Sequence, residues 1–141
     1  MTELENPLKG QSGPFEHFYE NGQLQAKGHI EDGERDGPWV EYYENGQAQE
    51  KRTYEKGKCV GLSEEFYENG QLKSSCGQHE NGRPDGILVL YYENGKIQRE
   101  LEFKYGRRNG IDVSYYENGQ IKLKGENKNG LRDGYWVLYY E

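Results

Sequence analysis

The sequence has little of what builds a large aliphatic core. Leu, Ile, Val and Phe supply only 25 of its 141 residues, below the roughly 20% at which a charged chain is usually disordered. No apolar run approaches the roughly 20 residues that a bilayer-crossing helix needs. The opening stretch, Met1–Asn6, is acidic and carries no apolar segment, so no secretory signal is read there and the expected location is cytoplasmic. Cys59 and Cys76 are the two cysteines. With no Cys-x-x-Cys pair and no His/Cys cluster beside them, they read as free thiols in a reducing compartment.

Basic charge is also scarce. Asp and Glu outnumber Lys and Arg by 25 to 18, for a net charge of −7 and a pI near 5.1. Phosphate surfaces select Lys/Arg clusters, so neither nucleic acid nor an anionic membrane is an expected partner. The densest basic group is Lys104, Arg107 and Arg108. A second would need the fold to gather Lys51, Lys73, Lys122 and Lys124.

Two residue types are abundant, 13 Tyr and 20 Gly, and both are regularly placed. Tyr-Glu-Asn-Gly begins at Tyr19, Tyr43, Tyr67, Tyr92 and Tyr116, and a sixth copy stops at Tyr140-Glu141. Successive copies are 24, 24, 25, 24 and 24 residues apart. An aromatic residue precedes each, and a Gly lies six positions before each Tyr. Such register marks a repeat protein. No stretch has helical spacing. Asn-Gly between two extended segments signals a β-hairpin, and a two-residue type I′ turn is expected at every copy. That turn would set Tyr19 opposite Leu24, Phe18 opposite Gln25 and His17 opposite Ala26. The recurring Gly-x-x-x-Gly, as at Gly33/Gly37 and Gly106/Gly110, is expected to be a second turn linking one hairpin to the next.

The expected fold is all-β, a single-layer antiparallel β-meander of stacked 24-residue hairpin repeats with about eleven strands. Residues 1–12 are a lead-in, and 13–141 form the repeat domain of five full repeats and a truncated sixth. The one extra residue is placed in Gln78–Gly82. Alternation puts Phe15, Trp39, Tyr43, Leu88, Leu101 and Trp136 on one face, and Phe18, Val40, Tyr42, Val113 and Tyr139 on the other. The first face is expected to be the more apolar, held by ladders of stacked aromatics. Ser63 and Asp112 occupy the position that holds Trp39 and Trp136 elsewhere, and are expected to leave shallow polar gaps.

The unit, with its Tyr-Tyr-Glu-Asn-Gly and its Lys128-Asn129-Gly130-Leu131-Arg132-Asp133-Gly134-Tyr135-Trp136 stretch, resembles the membrane occupation and recognition nexus (MORN) repeat, closest to the variant form common in bacteria. The resemblance covers about residues 13–141; Cys59-Val60 departs from it where Arg-Asp or Pro-Asp is usual. It implies a scaffolding or interaction module. Proteins made wholly of the variant repeat are commonly labelled antitoxins or immunity proteins, which implies a toxin encoded nearby as partner.

The residues themselves point to binding rather than catalysis. His17, His29 and His79 occupy three different repeat positions, and there is no Gly-x-Ser-x-Gly, P-loop or metal-ligand spacing. No cofactor or metal is expected. The candidate partner-binding residues are Trp39, Tyr43, Tyr67, Tyr92, Tyr116 and Trp136, because exposed aromatics are enriched at protein interfaces. A candidate acidic strip runs through Glu20, Glu44, Glu68, Glu93 and Glu117. Successive members lie two strands apart, about 9–10 Å, too far to share a metal ion. The last strand would present an unpaired edge bearing Trp136, Tyr139 and Tyr140, through which a homodimer could form.

Overall fold

Aromatic and β-branched runs broken by Gly every few residues yield strands and turns. The structure, a computed structural model, describes residues 9–78 and 82–141. Its strands are β1 (Gly13–Phe18), β2 (Leu24–Glu31), β3 (Glu34–Arg35), β4 (Gly37–Tyr42), β5 (Ala48–Glu55), β6 (Lys58–Phe66), β7 (Leu72–Gln78), β8 (Pro84–Tyr91), β9 (Ile97–Lys104), β10 (Arg107–Tyr115), β11 (Ile121–Lys128) and β12 (Leu131–Leu138). All join one antiparallel sheet in chain order, with the two-residue β3 pairing β2 beside the main path. Asp36 separates β3 from β4 and donates its N–H to the carbonyl of His29 at 2.9 Å, so the path has eleven strands. The expected meander is what forms. His79 and the extra residue placed in Gln78–Gly82 fall on or around residues 79–81, outside the described chain.

The type I′ turn expected at Tyr-Glu-Asn-Gly does not form there. At Tyr19–Gln23 the Gly22 N–H donates to the Tyr19 carbonyl at 3.0 Å and the Tyr19 N–H to the Gln23 carbonyl at 2.8 Å. Gly22 has positive φ and Asn21 does not, so this is a three-residue loop closed by a left-handed glycine rather than a type I′ turn. The Asn21 side chain instead accepts the Gln23 N–H through Oδ1 at 2.9 Å, and all five copies do the same. A register shift follows, and Phe18 stands opposite Leu24, not Gln25, while His17 still faces Ala26. The two-residue turns with positive φ at both positions lie elsewhere, at Asp32-Gly33, Lys56-Gly57, Tyr105-Gly106 and Asn129-Gly130. These link one hairpin to the next.

The second glycine of Gly-x-x-x-Gly is therefore not part of that turn but a bulge inside the following strand. Opposite β5 the ladder passes from Thr53↔Val60 to Lys51↔Glu64. Three residues, Gly61 to Ser63, thus face one, Arg52. The same excess recurs at Gly110 and Gly134, each at positive φ. Bulges of this kind bend a strand and re-aim its side chains.

The bulge shapes the core. On the face that carries Trp39, here the Trp face, Ile30, Trp39, Ser63, Cys76, Leu101, Asp112 and Asn127 are buried. The opposite Val face contributes only Val113 to the buried set among the described residues. Large meets small along the Trp face. The Trp39 indole lies on Gly28, where a Cβ would overlap ring carbons Cδ2 and Cε2, and Trp136 lies on Gly125 in the same way. Phe15 flanks Trp39 with ring centroids 5.1 Å apart, Tyr54 meets it edge-on at 6.4 Å, and its Nε1 donates to the His29 carbonyl at 3.1 Å. Gly28→Ala should lower stability by about 3 kcal/mol, at the upper end for overpacking, read as a lower urea midpoint with the slope unchanged.

Candidate protein-binding surface

In a single layer each repeat can bond only to the repeats beside it, and Tyr-Glu-Asn-Gly supplies those bonds. The hydroxyls of Tyr19, Tyr43, Tyr67, Tyr92 and Tyr116 donate to the carbonyls of Tyr42, Phe66, Tyr91, Tyr115 and Tyr139, at 2.6–2.7 Å. The acceptor is always the residue before the next repeat's Tyr. Asn21, Asn45 and Asn69 reach in parallel to the carbonyls of Glu44, Glu68 and Glu93. The Gly N–H of the linking turns does the same at the other edge, as from Gly57 to the Arg35 carbonyl at 2.9 Å.

This geometry assigns structural work to most of the aromatic candidates. Tyr43, Tyr67, Tyr92 and Tyr116 are half-buried, with their hydroxyls committed between repeats. Trp39 is only 3% exposed, so it is a core side chain. Trp136 is half-buried beneath the Arg132 guanidinium, 4.5 Å from its ring centroid, as Arg35 covers Trp39 at 4.5 Å. The expected ladder of stacked rings does not form along the sheet. Repeats two strands apart hold equivalent rings too far from one another, and hydroxyl-to-carbonyl bonds span the gap instead. The lysines do not gather either: Lys51 lies over Phe66, Lys73 over Tyr67 and Lys122 over Tyr116.

No polar gap opens at Ser63 or Asp112. Ser63 is buried, with its hydroxyl 3.3 Å from the Cys76 carbonyl. Asp112, 3% exposed, receives Arg99 Nε at 2.9 Å and Nη2 at 2.7 Å, and Asn127 Nδ2 at 3.2 Å. Burial alone would raise the Asp112 pKa, but these hydrogen bonds and the charges of Arg99 and Arg108 outweigh it and hold the carboxyl below its ordinary value. Both cysteines are free, and burial pushes each thiol pKa up. Arg52 is held between Glu50 and Glu65 in a charged patch of the Trp face, where burial raises the Glu50 pKa despite the nearby Arg52.

What stays open are the carboxylates and one apolar face. Glu20, Glu44, Glu68, Glu93 and Glu117 are all exposed at the hairpin turns, and none enters an ion pair among the described residues. On the Val face, Phe18, Leu62, Ile87, Ile111, Tyr135, Val137 and Tyr139 are exposed. Four of them, Leu62, Ile87, Ile111 and Tyr135, sit in the bulges, which sequence alternation does not reveal.

Five segments match the family model for the MORN repeat variant, at residues 11–32, 35–56, 60–82, 84–105 and 108–129. The chain belongs to the MORN repeat variant family. Each matched segment of this MORN protein holds an outgoing strand, the Tyr-Glu-Asn-Gly loop and the return strand, so the family unit and the hydrogen-bonded unit coincide. No curated protein matches the chain. The repeats make it a repeat-based protein-binding or scaffold module, and no helix among the described residues is long and apolar enough to cross a membrane.

Because the folded Asp112 pKa is depressed, its stabilisation is present above the carboxyl's ordinary value of 3.8 and is lost as pH falls through the folded value. Asp112→Ala should cost roughly 2–3 kcal/mol at neutral pH, at the low side for breaking a buried pair, because the Arg99 side chain keeps 32% of its surface in water. Urea unfolding at a series of pH values should show that cost shrinking below about pH 4.

Proposed function

We propose that this MORN repeat variant protein is a non-enzymatic binding module and, specifically, an antitoxin- or immunity-type protein that sequesters a cognate toxin encoded nearby. The observation that carries the reading is the strip of five exposed glutamates on backbone fixed by Tyr and Asn bonds. A fixed row of like charge about 9–10 Å apart fits a basic partner surface. It speeds encounter and excludes acidic competitors more than it adds raw affinity. The net charge of −7 favours the same partner class. Covering a toxin's active surface needs only shape and charge, which the repeats supply without a catalytic group.

The test is growth of cells expressing the adjacent reading frame, with and without this chain. Killing by the neighbour, relieved by this chain through a direct complex, is the expected result. Glu44→Lys, Glu68→Lys and Glu93→Lys together should slow association with the purified partner about tenfold or more at low salt, and the difference should narrow as salt is added. A harmless neighbour, or killing left unrelieved, would sink the toxin reading in favour of a general scaffold or adaptor. Binding to anionic vesicles that fades with salt would instead favour lipid recruitment.

A further inference from the structure

The fold satisfies the Trp face internally and leaves the Val face uncovered. Leu62 and Ile87, at its centre, are 57% and 46% exposed. Exposed apolar side chains gathered on one face mark an interaction surface. Its charges are ordered rather than scattered. Register places Lys51 across from Val40 and Glu64, and Glu100 across from Val89 and Val113, all on this face. Lys51 and Glu100 occupy the same position in the second and fourth repeats, with opposite sign.

We propose that two copies of this chain pack Val face to Val face, about a two-fold axis parallel to the strands and passing over β7, to make a two-sheet sandwich. The proposal is independent of the toxin reading and leaves the glutamate strip free. β7 is the sixth of the eleven strands on the sheet path, so the axis sets β5 on β9 and β6 on β8 of the other copy. Lys51 then meets Glu100, Glu55 meets Lys104 and Glu31 meets Lys128. The apolar positions meet one another as well, Leu62 on Ile87 and Val40 on Val113. Two like-charged pairs arise, Lys27 with Lys124 and Lys58 with Arg83. A two-fold axis running across the strands at the level of Glu64 would instead put Glu64 on Glu64, Lys51 on Lys51 and Glu100 on Glu100. A two-fold interface must be self-complementary, and the axis over β7 is the one that satisfies the charges.

The size is adequate. Eleven strands about 4.8 Å apart and about five residues of each give a patch of roughly 50 by 15 Å. That is close to the roughly 800 Å² per partner of a standard interface. Two sheets so related pack about 10 Å apart with interleaved side chains.

Sedimentation velocity on the full chain tests this. The expected species has twice the 16.4 kDa mass of the chain at micromolar concentration. Lys51→Glu and Glu100→Lys should each weaken self-association about tenfold or more while leaving the β-sheet circular dichroism unchanged. Mixed in equal amounts, the two variants should form a heterodimer, because each copy then offers the charge the other lacks. Leu62→Lys with Ile87→Lys should give a folded monomer. A 16.4 kDa species at every concentration, or a dimer unmoved by these changes, overturns the proposal. So does failure of the mixed variants to associate.

Discussion

A sheet one layer thick has no second layer to bury its side chains, so its strands must be locked to one another along the chain. The bond that does this is the Tyr hydroxyl reaching one repeat forward to a backbone carbonyl, made five times at 2.6–2.7 Å. Each acceptor would otherwise be a carbonyl at the end of a strand, where the ladder runs out. The same Tyr covers part of its neighbour with an apolar ring, so one side chain supplies both a hydrogen bond and burial. With so few aliphatic residues in the chain, that double use accounts for the Tyr of every Tyr-Glu-Asn-Gly, five of the 13.

The core row shows how a repeat tolerates unlike residues at one position. Trp39 and Trp136 fit because the strand before each offers a glycine. Asp112 fits although the strand before it offers Leu101, because Arg99 and Asn127 close around its carboxylate. Ser63 fits against Cys76, small beside small. The bulge at Gly61, Gly110 and their equivalents gives the room for these exchanges, since three residues on one strand share a single opposite neighbour.

Much of this could be read from the amino-acid order. The 24-residue period and its glycines establish the meander, the strand sequence and the place of the Tyr-Glu-Asn-Gly loops, since these depend on local chemistry. The loop types could not be read, because Asn-Gly suits either a type I′ turn or a loop with one left-handed glycine, and the choice depends on how the flanking strands pair. Tyr105 and Lys56 carry no signal of left-handed backbone, yet both adopt it. The candidate site suffered for the same reason. Parity alone cannot show that Trp39 is sealed by Phe15, Gly28 and Arg35, nor that the tyrosine hydroxyls are occupied, since both facts arise from contacts between strands. The glutamates were legible because loop tips point to water whatever the register.

Because every repeat-to-repeat bond reaches only to a nearest neighbour, the molecule behaves as a measuring stick. Adding or removing one 24-residue unit would change its length by two strands, about 10 Å, and leave each remaining junction as it was. Any partner laid along the sheet is therefore engaged in whole steps. Its footprint can be lengthened or shortened by copying or deleting a unit, with no new bond to be found.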